Sequence, residues 1–239
     1  MKERPIIFSE SMVRAILSGA KTQTRRVVKV RCHSICEGDD GKLWPWSEDA
    51  ELAEDFWHPC PYGQPGDRLW VREKWRIGAW DEDRGAVAID YFDGPRREWI
   101  EVPDPTLDGE LFNRLWQQST DDARAAGLTP DDDGRYRWAP GESPCRWRPS
   151  IHMPRWASRI TLEITDVRVE RLQDISTVDA LAEGVNVHPD HHGKPRSSLY
   201  SPVQAHADLW EQINGPESWA ANPWVWVIEF KKLEQQEAA

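Results

Sequence analysis

The chain has 239 residues, 30 % of them charged, with a net charge of −11 and a mean hydropathy of −0.72. That length holds one elaborated domain or two small ones, and no apolar run approaches the roughly 20 residues that a membrane-spanning helix needs. So acidic a chain does not coat nucleic acid indiscriminately, because such binding rests on many phosphate contacts.

In chain order, RPIIF (4–8) reads as a short strand and SESMVRAILSG (9–19) as a helix. Ser9 is its N-cap; Met12, Val13, Ile16 and Leu17 form one apolar stripe; Gly19 fits the left-handed position that ends a helix. TRRVVKV (24–30) is a strand. Residues 31–58 are acidic, tryptophan-bearing and aperiodic, which predicts an inserted loop. PYGQPGDRLWVREKW (61–75) is a turn at Pro65, Gly66 and Asp67 followed by a strand. AVAIDY (86–91) and REWIEV (97–102) read as a hairpin, and 104–144 as a second insertion holding one short amphipathic piece. RITLEITDVRVERL (159–172) alternates like one bent strand or two. STVDALAEG (176–184) is a helix capped by Ser176 and Asp179 and stopped at Gly184. HPDHHGKPRSS (188–198) is a loop, HADLWEQING (206–215) a third helix and PWVWVIEFK (223–231) a closing strand. Several strands, few helices and no regular βαβ alternation predict an α+β fold, a mixed β-barrel with helices against it.

Local charge departs from the overall balance. Residues 37–55 hold eight acids and one lysine, whereas 146–171 hold six arginines against three acids, so local fields differ in sign from the whole. SGAKTQTRR (18–26) has no acid to offset its basic groups. It is either a solvated turn or a site for an anionic or nucleotide-like ligand. A threonine hydroxyl such as that of Thr24 needs a neighbour to take its proton, and a lysine of depressed pKa does this. The preceding helix end favours the charged form of Lys21, so only burial makes it a base. Glu183, in the last turn of its helix, faces the negative end of the dipole; if buried, its pKa is expected to rise, which suits a proton donor.

Cys32, Cys36 and Cys60, with His33 and His58, offer zinc donors, but their spacing is loose and no paired Cys-x2-Cys completes a site; no metal or cofactor is expected. Four cysteines at this length make no disulfide framework, and MKERPIIFSE lacks a signal-peptide apolar region; both predict a cytoplasmic protein with free thiols. In CRWRPSIHMPRWASRI (145–160) arginines alternate with tryptophans. Such a stretch either stacks bases and grips phosphates or packs as cation–π pairs on its own surface.

FSESMVRAILSGAKTQTRR resembles the opening of the ASCH domain family, a PUA-like β-barrel fold with a G-x-K-T-x-T-x-R signature, here Gly19, Lys21, Thr22, Thr24 and Arg26. DALAEG (179–184) resembles the family's later acidic helix. The blocks PYGQPGDRLWVREKW, WRPSIHMPRWASRITLEITDVRVERLQDIS and NPWVWVIEFK look like a larger phage and prophage subgroup, some of whose members carry the label phage morphogenetic protein. The resemblance covers most of the chain outside the two insertions and implies a single domain. Small bacterial members are metal-independent amidohydrolases that convert N(4)-acetylcytidine to cytidine and acetate. By motif, their catalytic lysine, threonine and glutamate fall on Lys21, Thr24 and Glu183. Thr22, Arg26, Trp70, Arg146 and Trp147 are then expected around a nucleoside substrate, in a monomer or homodimer with no membrane partner. RNA is the partner in the alternative reading, a non-catalytic PUA-like reader; a phage assembly factor is a third. Acidic insertions at the pocket rim are expected to favour a small nucleoside over a polyanion.

Overall fold

A computed structural model describes residues 1–49, 54–81, 84–94, 98–101, 110–185 and 201–234. The fold is α+β, mostly sheet with few helices. Its elements are β1 (Glu3–Ile7), α1 (Glu10–Leu17), β2 (Gln23–Val27), β3 (Ser34–Glu37), β4 (Leu43–Asp49), β5 (Glu54–Trp57), β6 (Arg68–Arg72), β7 (Trp75–Asp81), β8 (Ala86–Tyr91), β9 (Glu98–Glu101), α2 (Glu110–Ala125), β10 (Thr161–Arg171), α3 (Thr177–Ala182), α4 (Pro202–Asn214) and β11 (Trp224–Lys232). No helix among the described residues is long and apolar enough to cross a membrane.

Three sheets form, with strand orders β1-β6-β10-β11-β2, β3-β4-β5 and β7-β8-β9. Among the described residues no pairing closes the first into a barrel. Its central pair, β10 and β11, is antiparallel, with a register shift between Ile164 and Asp166; this is the bend that the alternation of 159–172 suggests.

The chain divides into two compact units: Met1–Arg4, Arg14–Leu69 and Ile160–Ala239 in the first, Pro5–Val13 and Trp70–Arg159 in the second. In the first, Leu172, Trp210, Val225 and Val227 pack together with Val27 and Trp219 against them. In the second, Trp75, Ile77, Val87, Ile89, Tyr91, Leu115, Cys145, Met153 and Ala157 form the core.

The first insertion differs from its reading as a loop, and the amphipathic piece of the second extends into a long helix. Residues 34–57 hold the β3-β4-β5 sheet, whose Trp44 ring packs 5.9 Å from that of Trp226. In the second insertion α2 runs 16 residues and buries Leu115, Ser119, Thr120 and Ala123. Leu111, Phe112 and Trp138 pack on the second unit's core, so this stretch builds a core where a rim is expected. Its apolar positions follow the helical three-and-four spacing, hidden in the sequence among acids and amides. The stretch 145–160 holds two short 3-10 turns, at Ser150–His152 and Arg155–Ala157. The loop 188–198, with His188, His191 and His192, lies outside the described residues.

Candidate functional site

The first unit brings two helix ends together. Gly19, φ +78°, turns the chain after α1, and the Lys21 N–H donates to Ala15 O at 3.0 Å. Ser176 caps α3, its Oγ accepting from Asp179 N at 3.1 Å. Lys21 and Glu183 then pair as an isolated antiparallel bridge, next to which Thr22 N–H donates to Ala182 O at 2.9 Å. Gly184 is required here twice over. Its φ is +77°, and a Cβ would lie 2.9 Å from both Ala15 Cβ and Lys21 Cβ.

The bridge delivers two charged side chains to one buried place. Lys21 Nζ donates to Glu183 Oε2 at 2.7 Å and to the Glu183 carbonyl at 2.9 Å. Their side chains are 0 % and 3 % exposed. Arg25 Nη1 donates to Glu183 Oε1 at 3.1 Å and to Gln23 Oε1 at 3.0 Å. Arg25 also holds Glu170 through Nε and Nη2, and Gln23 Nε2 donates to Asp179 Oδ1 at 3.2 Å and Glu229 Oε1 at 3.3 Å. Arg168 closes the array against Glu170, Asp179 and Glu229.

Burial pushes the Lys21 ammonium below its ordinary value, and the attraction of Glu183 opposes this without reversing it. For Glu183 the expected rise is overturned. Burial does push the carboxyl up, but Lys21, His206 and Arg25 together outweigh it and hold the pKa below the usual carboxylate value. Glu183 is therefore an anion at neutral pH, a hydrogen-bond acceptor and not a proton donor. A guanidinium does not deprotonate. Arg25 thus keeps the carboxylate compensated when Lys21 gives up its proton.

Strand geometry sorts the remaining predicted residues. Lys21, two residues before β2, meets the partners of Gln23 and Arg25 on one face of that strand. Cross-strand neighbours share that face: Val227 and Glu229 on β11, Arg168 and Glu170 on β10. Thr24 is 1 % exposed and pairs with Ile228; Arg26 pairs with Trp226. Alternation puts both on the opposite face. Among the described residues no hydrogen bond joins Thr24 Oγ1 to Lys21 or Glu183. Arg26 nevertheless lies within electrostatic reach of Tyr62 and Glu183. Thr22 is exposed and contributes its backbone to the bridge.

Trp70, Arg146 and Trp147 belong to the second unit. The Arg72 guanidinium lies 4.7 Å over the buried Trp70 ring. Arg146 is exposed, 3.7 Å from Asp122. Trp147 is half-buried against Phe92 at 5.1 Å, with Arg76 4.5 Å over its ring. The zinc candidates engage elsewhere: His33 Nδ1 accepts from Glu48 N at 3.0 Å, His58 Nε2 pairs with Ser47 Oγ at 2.8 Å, and all four cysteines are free thiols. Among the described residues no group of three or more His, Cys, Asp or Glu is arranged to hold a metal.

Arg25 and His206 are among the residues of the site not singled out in the sequence. Arg25 follows Thr24 and is legible only once the strand's phase is known. His206, on α4, is 4 % exposed; its ring packs 6.2 Å from Trp210 and 6.1 Å from Trp219, and it lies within electrostatic reach of Glu183, Arg25 and Lys21. Comparison with protein-family models, with curated proteins and with solved structures returned no match to this chain.

Proposed function

We propose that the protein is an amidohydrolase that removes the acyl group from an N(4)-acylated cytosine nucleoside, on a PUA-like ASCH fold. The observation that carries this reading is the buried Lys21–Glu183 pair, assembled from residues 162 positions apart by a backbone bridge. A lysine whose proton is weakened by burial, beside a carboxylate held ionised, is suited to proton transfer.

In this reading Lys21 takes the proton from the attacking oxygen, and that oxygen adds to the acyl carbonyl carbon. The C–N bond then breaks, and the ammonium of Lys21 returns the proton to the exocyclic nitrogen. Glu183 accepts the exocyclic N–H and orients the base. Arg26 steadies the oxyanion, a contribution of about 3–4 kcal/mol per donor in other acyl-transfer enzymes.

The motif implies that the attacking oxygen is Thr24 Oγ1, with an acyl-threonine that water then hydrolyses. The opposite-face placement of Thr24 favours a second nucleophile, a water deprotonated by Lys21. Single-turnover release of acetate from N(4)-acetylcytidine by Thr24→Ala decides between them: loss of release retains the threonine, and a rate near wild type leaves the water. Absence of release by the wild-type chain removes the amidohydrolase reading altogether and returns the choice to an RNA-binding module. That alternative is favoured by the arginine–aromatic stacks of the second unit.

A further inference from the structure

Lys21 and Arg25 divide the Glu183 carboxylate between them. Lys21 Nζ donates to Oε2 at 2.7 Å and Arg25 Nη1 to Oε1 at 3.1 Å. The Arg25 side chain is fully buried, and its other bonds run away from Glu183. Nη1 also donates to Gln23 Oε1 at 3.0 Å, and Nε and Nη2 both donate to Glu170 Oε1.

The sheet explains this reach. β2 is an edge strand; Arg25 stands opposite Val227 on β11, and Val227 stands opposite Arg168 on β10. Glu170 follows two residues along β10, on the same face. Arg25 therefore extends across β11 to a strand two places away. The carboxylate it grips there is itself held through its other oxygen by Arg168 Nε at 3.2 Å. One edge of the guanidinium is thus fastened to the sheet, while Nη1 meets a carboxylate carried by the end of α3. A rigid planar fork passes the direction of the first contact on to the second, which the flexible ammonium of a lysine does not.

We infer that Arg25 is the positioning residue of this site: anchored on Glu170, it fixes the Glu183 carboxylate so that Oε2 is turned to Lys21, and it sets a fixed positive charge beside the pair. Arg25 acts on substrate only through Lys21 and Glu183. The inference rests on the proposed amidohydrolase function and adds the residue that orients its proton-transfer pair.

The charge of Arg25 gives the role a readout of its own. Within electrostatic reach of Lys21 are Glu183 at the end of α3, Arg25 and Arg26 on β2, and His206 on α4. Burial lowers the Lys21 pKa, Glu183 opposes this, and the two arginines lower it further. Removing the Arg25 charge is therefore expected to raise it. A base works once its proton is lost, so the rise of rate with pH should then move to higher pH.

Acetate release from N(4)-acetylcytidine by Arg25→Gln and Arg25→Lys, followed across pH, tests this. Arg25→Gln should lower kcat by about 10²-fold, as a small misplacement of a reacting group does, and should shift the rising limb of the profile upward. Arg25→Lys keeps the charge and loses the fork; its limb should stay near that of wild type while kcat remains low. Wild-type kcat in either variant, or an unmoved limb in Arg25→Gln, overturns the inference and leaves the hydrolytic reading intact. Wild type that releases no acetate removes the hydrolytic reading. Nitrogen NMR of the Lys21 ammonium then still decides whether Arg25 governs the pair: its titration midpoint should rise in Arg25→Gln, and an unchanged midpoint overturns the inference as well.

Should the variants fail to fold, the wild-type protein decides. The assigned Arg25 guanidinium should show separate Nη signals, as a pinned fork does, and these should move as Lys21 titrates. A single averaged signal, or one indifferent to that titration, overturns the inference.

Discussion

Both compact units bury ion pairs, and they bury them differently. In the second unit the cations are arginines. Arg159 grips Glu73 with two bonds of 2.9 and 2.8 Å, its guanidinium lies 4.1 Å over the Tyr91 ring, and Gly94 backs it so closely that a Cβ would fall 2.2 Å from Nη1. Arg76 meets the fully buried Asp90 at 3.1 Å and donates on to Gly141 O at 2.6 Å. Arginine's planar fork matches carboxylate geometry and its proton does not leave, so such pairs hold shape. In the first unit the array is branched, and one of its cations is a lysine. Lysine is the cation whose proton burial can loosen. A buried charge pair alone is thus no sign of chemistry; the lysine, the branching and the unpartnered imidazole are what set the first unit's array apart.

The largest expected effect separates the two arrays directly. Glu183→Gln should lower turnover of N(4)-acetylcytidine by about 10³-fold, within the range that acid–base groups contribute. Glu73→Gln should leave the turnover of folded protein near wild type while costing about 3 kcal/mol of stability, as breaking a buried pair does. Initial rates and denaturant unfolding on both variants check this. Equal loss of turnover in the two would erase the distinction between a site and a structural pair.

A smaller effect tests the backbone bridge. Gly184→Ala combines a left-handed backbone with a crowded Cβ, and should cost about 3–4 kcal/mol. For a chain of this size that is a fall in Tm of roughly 10 °C. Gly19→Ala has the same sign of φ but nothing within 4 Å of its Cβ, so its cost should be about 1–2 kcal/mol. Thermal scans that find the two equal would show that the Ala15 and Lys21 contacts do not constrain the bridge.

The last expected effect, at most comparable with the loss of Gly184, is a pH dependence of stability. His206 has a folded pKa of about 4 against an ordinary 6.5. Between those values the unfolded chain binds the proton and the folded chain does not. Stability therefore falls as pH drops from 6.5 towards 4, by at most about 3 kcal/mol. Glu183, whose folded pKa is lowered, adds a loss below the ordinary carboxylate value. The charged neighbours that oppose protonation of His206 are Arg25 and Lys21, and Glu183 favours it. Urea unfolding from pH 7 to pH 4 measures the slope, and His206→Phe should remove the part between 6.5 and 4.5.

Much of the local structure follows from sequence alone. Gly19 and Gly184 mark helix ends because left-handed backbone suits glycine, and Ser176 marks a helix start because its hydroxyl replaces a missing acceptor. The strands β1, β2, β6, β8, β10 and β11 are legible from alternation and turn residues. β7 and the β3–β5 sheet are not: their tryptophan-bearing segments lack a period clean enough to separate strand from loop. In α2 the apolar stripe is diluted by Gln, Ser and Asp, and only packing on Trp75, Ile77 and their neighbours selects the helix.

The site divides in the same way. Lys21 and Glu183 are visible as candidates, because each stands beside a helix-ending glycine and carries a titratable group. Their pairing, the inclusion of Arg25 on their face of β2, the exclusion of Thr24 from it and the arrival of His206 are decided by strand phase and by the packing of α3 and α4. The ionisation of Glu183 is decided there too. Helix position alone argues for a raised pKa, but three cationic or polar neighbours brought in from β2 and α4 reverse it, since Coulomb interactions depend on distance in space and not on separation along the chain.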